Sequence, residues 1–233
     1  MNLGYHFCME QKLRVEGIYD KRTLNHLKSL GLKDFCFDFS PKSFNFIQEY
    51  VFLEQILNLL DPSDKVFLHF ARSNDPMVFK LIDDLKKTGH SLSNVYFEFD
   101  EWSNEIGPID FSYNYLINFT NDSDPSKLIG KNFKGFIFNF EFFESLHRSN
   151  LLNNFATNFY TRYHSKLNEE SVMLLKIDWH NNLLTSLFEL FEFNLLSFPI
   201  NSKIEVCYRN VDLKKLSNEM DLFQKNNFIF QDL

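Results

Sequence analysis

The chain has 233 residues, 44% of them hydrophobic, and a formal net charge of −7. The length fits one (β/α)8 domain, which takes about 200–250 residues, and that hydrophobic share is ample for a large core. The acidic balance, with no basic run, argues against a nucleic-acid surface. In chain order, Leu13 to Glu16 reads as a short strand closed by Gly17. Asp20 is placed to cap a helix from Lys21 to Leu30, with Leu24, Leu27 and Leu30 on one face and Gly31 as its stop. Phe35 to Phe39 alternates with a period of two, as a second strand does. A strand, a crossover helix and a strand in so short a span make a βαβ unit with parallel strands.

Gln48 to Leu60 carries a helical apolar pattern ended by Asp61-Pro62, and Lys65 to Phe70 is the third strand. Asp75-Pro76 starts a helix that stops at Gly89. Asn94 to Asp100 is the fourth strand, and the connection from Glu101 to Asn114 is too polar to be read as a regular helix. Tyr115 to Thr120 is the fifth strand, Asp124-Pro125 begins a short helix, and Phe133 to Phe140 is the sixth strand. A long helical stretch from Glu141 to Glu170 leads to a seventh strand, Val172 to Trp179. An apolar helix from Leu183 to Leu196 follows, then an eighth strand at Lys203 to Arg209 and a last helix from Asp212 to Gln224. Eight strands and mostly helical crossovers suit a closed barrel, and a doubly wound open sheet fits the same alternation.

Residues 12–101 carry a resemblance. Arg14-Val-Glu-Gly17, Cys36-Phe-Asp-Phe39, Pro41-Lys-Ser-Phe-Asn45 and Val95-Tyr-Phe-Glu-Phe-Asp-Glu101 lie over four motifs. These are the Lys-Ile-Cys-Gly, Gly-Phe-Val-Phe, Pro-Lys-Ser-Pro-Arg and Val-Gln-Leu-His-Gly-Asp-Glu motifs of phosphoribosylanthranilate isomerases. The chain resembles that family, whose members are (β/α)8 barrels of tryptophan biosynthesis. The resemblance implies a single TIM-barrel domain over residues 1–233, and the residues themselves imply irregular or shortened helices after strands four and five.

The resemblance also implies which reactive positions have changed. The family's base is a cysteine of the first strand, where this chain has Glu16, and its acid is an aspartate ending the sixth strand, where it has Asn139. An amide cannot donate and recover a proton near neutral pH. Asn45 stands for the anthranilate-gripping arginine and Glu98 for the strand-four histidine. The family cradles phosphate on glycine turns after strands seven and eight. Here the matching stretches are Lys176-Ile-Asp-Trp179 and Cys207-Tyr-Arg-Asn210, and no glycine follows Gly135.

Strand alternation fixes what points into a barrel. With Phe35, Phe37 and Phe39 turned to the helices, Cys36 and Asp38 face inward, and the same logic places Arg14, Glu16, Phe67, His69, Tyr96, Glu98, Asp100, Asn118, Asn139, Lys176, Asp178, Glu205, Cys207 and Arg209 inside. Those nearest the C-terminal strand ends, where this fold places its sites, are the site candidates. Glu16, Asn139, Glu98 and His69 are the candidate catalytic positions, and Asp38, Asn45, Asp100, Asp178 and Arg209 the candidate ligand contacts. Each has a plain structural counterpart: a bonded core histidine, an Arg14–Glu16 ion pair, an Asp100–Glu101 helix cap. The phenylalanine rows read as core.

The expected function is a diverged barrel without isomerase activity that binds a small polar ligand at its mouth. The alternatives are an enzyme using Glu16, Glu98 and Asp178 as acid–base groups or divalent-cation ligands, a non-catalytic interaction protein, and an isomerase with Glu16 as base. No C-x-x-C or H-E-x-x-H spacing marks a metal site, and no cofactor is expected beyond an optional divalent cation. Three scattered cysteines, no signal-peptide pattern and no eighteen-residue apolar run lead to an expectation of reduced thiols, a cytoplasmic location and no membrane partner.

Overall fold

The structure, a computed structural model, describes residues 11–102, 111–120, 129–181 and 185–228, of which 185 and 224–228 are described by backbone alone. Eight parallel strands close into one barrel in sequence order: β1 (Lys12–Glu16), β2 (Asp34–Asp38), β3 (Lys65–Arg72), β4 (Val95–Glu101), β5 (Tyr115–Asn118), β6 (Phe133–Asn139), β7 (Val172–Lys176) and β8 (Leu195–Pro199). The seam pairs β1 with β8, Arg14 opposite Ser197 and Glu16 opposite Pro199. This is the (β/α)8 barrel that the sequence leads one to expect.

The crossovers follow from local signals. In α1 (Lys21–Ser29), the Asp20 carboxylate accepts from the Thr23 N–H at 2.8 Å. The segment after β2 winds as α2 (Glu49–Val51), then a π turn (Phe52–Ile56), then a 3-10 turn (Leu57–Leu59). Asp75 caps α3 (Pro76–Lys87), with Pro76 in its first turn. The long helical stretch after β6 divides into α4 (Phe140–Arg148) and α5 (Leu152–Tyr163), with Asn150 at φ 57 between them. Short α6 (Thr185–Leu190) precedes β8, and α7 (Leu213–Phe228) closes the chain. The expected irregular connections after β4 and β5 fall mainly on residues 103–110 and 121–128, outside the described residues.

One strand assignment needs correction. The eighth barrel strand is Leu195–Pro199, which starts on the last two residues of the run read as a helix and continues past it. A continuous apolar run does not distinguish helix from buried strand by periodicity. Pairing with β1 and β7 on either side decides it, and Ser197, buried between Leu196 and Phe198, is bonded into the barrel interior. The stretch expected as the eighth strand forms a small antiparallel hairpin of β9 (Glu205–Cys207) and β10 (Asn210–Val211), a sheet separate from the barrel. Glu205, Cys207 and Arg209 therefore do not point inward. Cys207 is exposed, and the Glu205 carboxylate accepts from the Tyr19 hydroxyl at 2.7 Å. Likewise β7 ends at Lys176, so Asp178 lies in the following loop rather than on the strand.

The main core lies between strands and helices. Phe35, Phe37, Phe39, Phe70, Phe97, Phe136 and Phe138 are all buried in it, as the alternation requires. The Phe138 ring meets Phe143, Phe159 and Phe193 at 5.3, 5.4 and 5.9 Å, and each such pair adds roughly 0.5–1.5 kcal/mol beyond its buried area. A second, smaller core fills part of the barrel interior, with Cys36, Phe67, Tyr96, Leu116, Ile137, Val172, Leu174 and Leu195. Among the described residues no helix is long and apolar enough to cross a membrane.

Candidate functional site

The interior charges are arranged around Arg14. Its side chain is fully buried, packs 4.5 Å above the Phe67 ring and donates to both carboxylate oxygens of Glu98, to Ser197 Oγ at 2.8 Å and to Glu16 Oε2 at 3.5 Å. Ser197 passes the chain on by donating to Glu16 Oε2 at 2.9 Å, and Lys176 Nζ reaches the same oxygen at 3.4 Å. Glu98 has no exposed surface, so it holds Arg14 and does not face solvent. The plain structural counterpart for Arg14 and Glu16 thus accounts for their geometry.

Nearer the mouth, His69 bridges two aspartates. Its Nδ1 lies 2.9 Å from Asp38 Oδ1, and its Nε2 lies 2.9 Å from Asp100 Oδ1. Burial alone would push the imidazole down, but the hydrogen bonds to Asp100 and Asp38 outweigh it and lift its pKa to about 9. His69 is therefore an imidazolium at neutral pH. Burial pushes the Asp38 carboxyl up, and the bond from His69 more than reverses this. For Glu16 burial is likewise outweighed by Lys176 and Arg14, which hold it below the usual carboxylate range. Lys176 is held above its ordinary value because Glu16 and Glu98 outweigh burial. Every shift fixes a charge and moves the group away from neutral pH, whereas acid–base catalysis needs a pKa near the working pH.

The remaining candidates divide by place. Asn139 ends β6 with its side chain exposed and makes no capping bond to α4. Asn45 is buried, donates to the Ile200 carbonyl at 2.6 Å and packs against Gly17. It ties three mouth loops together, and its Oδ1 has no hydrogen-bond partner among the described residues. Arg209 lies at the hairpin turn, donates to the Phe46 carbonyl at 2.8 Å and stacks 4.5 Å above Tyr19. It braces the rim. Sequence reading placed Lys176 inside the barrel without making it a site candidate, and did not single out Ser197, Asn201 and Lys203. For Ser197 the available signal was a lone polar residue in the apolar run Leu195 to Phe198.

The loops after β7 and β8 meet through Asp178. Its carboxylate accepts from the Trp179 N–H at 2.8 Å, Asn201 Nδ2 at 2.8 Å and Lys203 Nζ at 2.7 Å. Burial pushes the carboxyl up, but Lys203, Asn201 and that N–H hold it anionic, below its ordinary value. In barrels of this class the loops after strands seven and eight frequently bind phosphate. Here three donors converge on an anion that the chain itself supplies. Among the described residues no group of three or more His, Cys, Asp and Glu side chains is placed to hold a metal ion, and Glu16, Glu98 and Asp178 are each bonded to a cationic side chain.

The fold has solved counterparts. Phosphoribosylanthranilate isomerase from Thermus thermophilus matches with a TM-score of 0.57 at 14% identity, over 88% of this chain and 94% of that one. The isomerase from Thermotoga maritima matches with a TM-score of 0.56 at 13% identity, covering 88% and 95%. TrpF from Jonesia denitrificans gives a TM-score of 0.53 at 10% identity, covering 88% and 93%. This chain has the fold of phosphoribosylanthranilate isomerase. No protein-family model matches the sequence, and no curated protein matches it. The isomerase fold is present, and the positions that the resemblance makes reactive carry other residues.

Proposed function

We propose that the protein is a diverged barrel of isomerase ancestry that does not isomerise, and that it binds a small, non-phosphorylated polar ligand at the C-terminal mouth. The observation that carries this reading is the Asp178 carboxylate among three donors where such barrels hold phosphate. One solved isomerase of this fold is in complex with a reduced 1-(o-carboxyphenylamino)-1-deoxyribulose 5-phosphate, a ligand that carries a phosphate. A fixed carboxylate repels that group.

The floor of the mouth supports binding over proton transfer. Glu16, Lys176, His69 and Asp38 reach solvent with 14–22% of their side-chain surface, and each is locked in its charged form. Such a floor orients dipoles and hydrogen bonds without exchanging protons. On β5, Asn118 adds a buried Oδ1 without a partner among the described residues, an acceptor that a ligand donor could satisfy. A cytoplasmic setting agrees with the free thiols of Cys36 and Cys207. The acidic net charge argues against nucleic acid as a partner.

Two measurements test the reading. Expression in a tryptophan auxotroph lacking the isomerase is expected to give no growth, and growth would overturn the loss of activity. A thermal-shift screen of polyols and free sugars against their phosphate esters is expected to stabilise only with uncharged members. Stabilisation by the esters alone would sink the choice of ligand class.

A further inference from the structure

The opposite end of the barrel, where the strands begin, carries charge that the fold does not explain. A cavity of about 400 Å³ opens there, lined among others by Asp34, Tyr96, Lys12, Lys65, Lys134 and Glu170. That is within the ~300–1,000 Å³ range of small-molecule sites. Side chains at this end of a TIM barrel ordinarily serve stability, and a stabilising buried carboxylate is paired. Asp64 is such a case, 3% exposed, bonded to Lys28 at 3.1 Å and to the Asp61 N–H at 2.8 Å.

Asp34 is not. It is 5% exposed, faces the cavity, and makes no hydrogen bond or ion pair with any described residue. Burial pushes its carboxyl up, and Lys65 and Lys12 oppose this from a distance without bonding it. The hydroxyl of Tyr96, 8% exposed, is likewise unpartnered among the described residues. Both groups are open on the cavity side, where a donor or acceptor from outside the chain can reach them.

We propose that this cavity is a second binding site, for a small zwitterion whose ammonium or guanidinium group sits on Asp34 and the Tyr96 hydroxyl and whose carboxylate meets Lys65 and Lys134. Charge excludes the simpler classes. With three carboxylates (Asp34, Glu169, Glu170) and three lysines in the lining, a ligand of either single sign meets as many like charges as opposite ones. Lys65 and Lys134 are half-buried, so the anionic end is assigned to them rather than to the exposed Lys12.

The test is calorimetric titration of the full chain with arginine, lysine and β-alanine, with the dication putrescine and the dianion succinate as controls of one sign only. At least one zwitterion is expected to bind saturably at millimolar concentration, with neither control doing so. Asp34→Asn is expected to weaken that binding about tenfold or more, because it removes one charge-assisted hydrogen bond. The same variant, ligand-free, is expected to melt no lower than the parent, since no hydrogen bond or ion pair with a described residue is lost. A lower melting temperature would mark Asp34 as structural and overturn the proposal. Lys134→Met, at the anionic end, gives an independent loss of affinity. His69→Gln, at the mouth, is expected to leave it unchanged, which separates this site from the mouth. No saturable binding by any zwitterion, or binding kept by Asp34→Asn, would reject it.

Discussion

Arg14 and Glu98, 84 residues apart in sequence, form a two-point ion pair across the barrel interior with no exposed side-chain surface on either partner. Breaking a buried pair from one side leaves an uncompensated charge and costs about 3–5 kcal/mol, whereas replacing both partners with apolar groups is often neutral. Glu98→Leu is therefore expected to lower unfolding free energy by about that amount in urea titrations. The Arg14→Met/Glu98→Leu double variant is expected to recover most of it, less the bonds that Arg14 gives Ser197 and Glu16. If the single variant were as stable as the double, the pair would not organise the interior.

His69 makes stability depend on pH in a defined direction. Its folded pKa of about 9 lies above the ordinary 6.5, so its contribution is full below pH 6.5 and is lost as pH rises through 9. The shift corresponds to a few kcal/mol at most. Unfolding free energy is expected to decline between pH 6.5 and 9.5, and His69→Gln is expected to flatten that decline. An NMR titration of the His69 ring provides the direct check, and a midpoint near 6.5 would remove the Asp38–His69–Asp100 bridge from the account.

Much of the barrel was legible because its signals are local. Asp20, Gly31 and Asp75-Pro76 set helix ends through capping, and the phenylalanine rows set strand phase. The interior positions of Arg14, Glu16, Asp38, His69 and Glu98 follow from that phase alone. What stayed hidden is non-local. Leu195 to Pro199 is a strand because β1 and β7 pair with it on either side, and no property of the run itself separates it from a helix. With β8 misplaced, Lys203 and Asn201 were assigned to or before a strand, and their convergence on Asp178 could not be seen. The charge states were hidden for the same reason, since His69 is cationic only because Asp38 and Asp100 arrive from neighbouring strands.

Gly17 is required by its backbone and by its neighbour. It sits at φ +79 directly after β1, and a Cβ there would lie 2.4 Å from Asn45 Nδ2. Gly17→Ala is expected to destabilise by about 1–3 kcal/mol from the dihedral alone, with the clash adding to it. Gly17→Ala/Asn45→Gly should remove the clash and keep the dihedral cost, so it should fall between parent and single variant after subtraction of the Asn45→Gly effect. Full recovery in that double variant would show that the turn tolerates a side chain.

Asp178 and Lys203 supply the sharpest test of the proposal that the mouth takes no phosphorylated ligand. Both side chains are partly exposed, at 42% and 38%, so the ion pair itself contributes only about 0–1 kcal/mol. Removing the carboxylate leaves the Trp179 N–H, Asn201 Nδ2 and Lys203 Nζ facing an empty position between the loops after β7 and β8. Asp178→Ala is therefore expected to fold with a small loss of stability and to gain binding of inorganic phosphate, read as a rise in melting temperature with phosphate that the parent lacks. Lys203→Met in the same background should abolish the gain, because backbone and amide donors alone lack the countercharge. A parent that already answers phosphate as strongly as Asp178→Ala would show that its own carboxylate does not block the position.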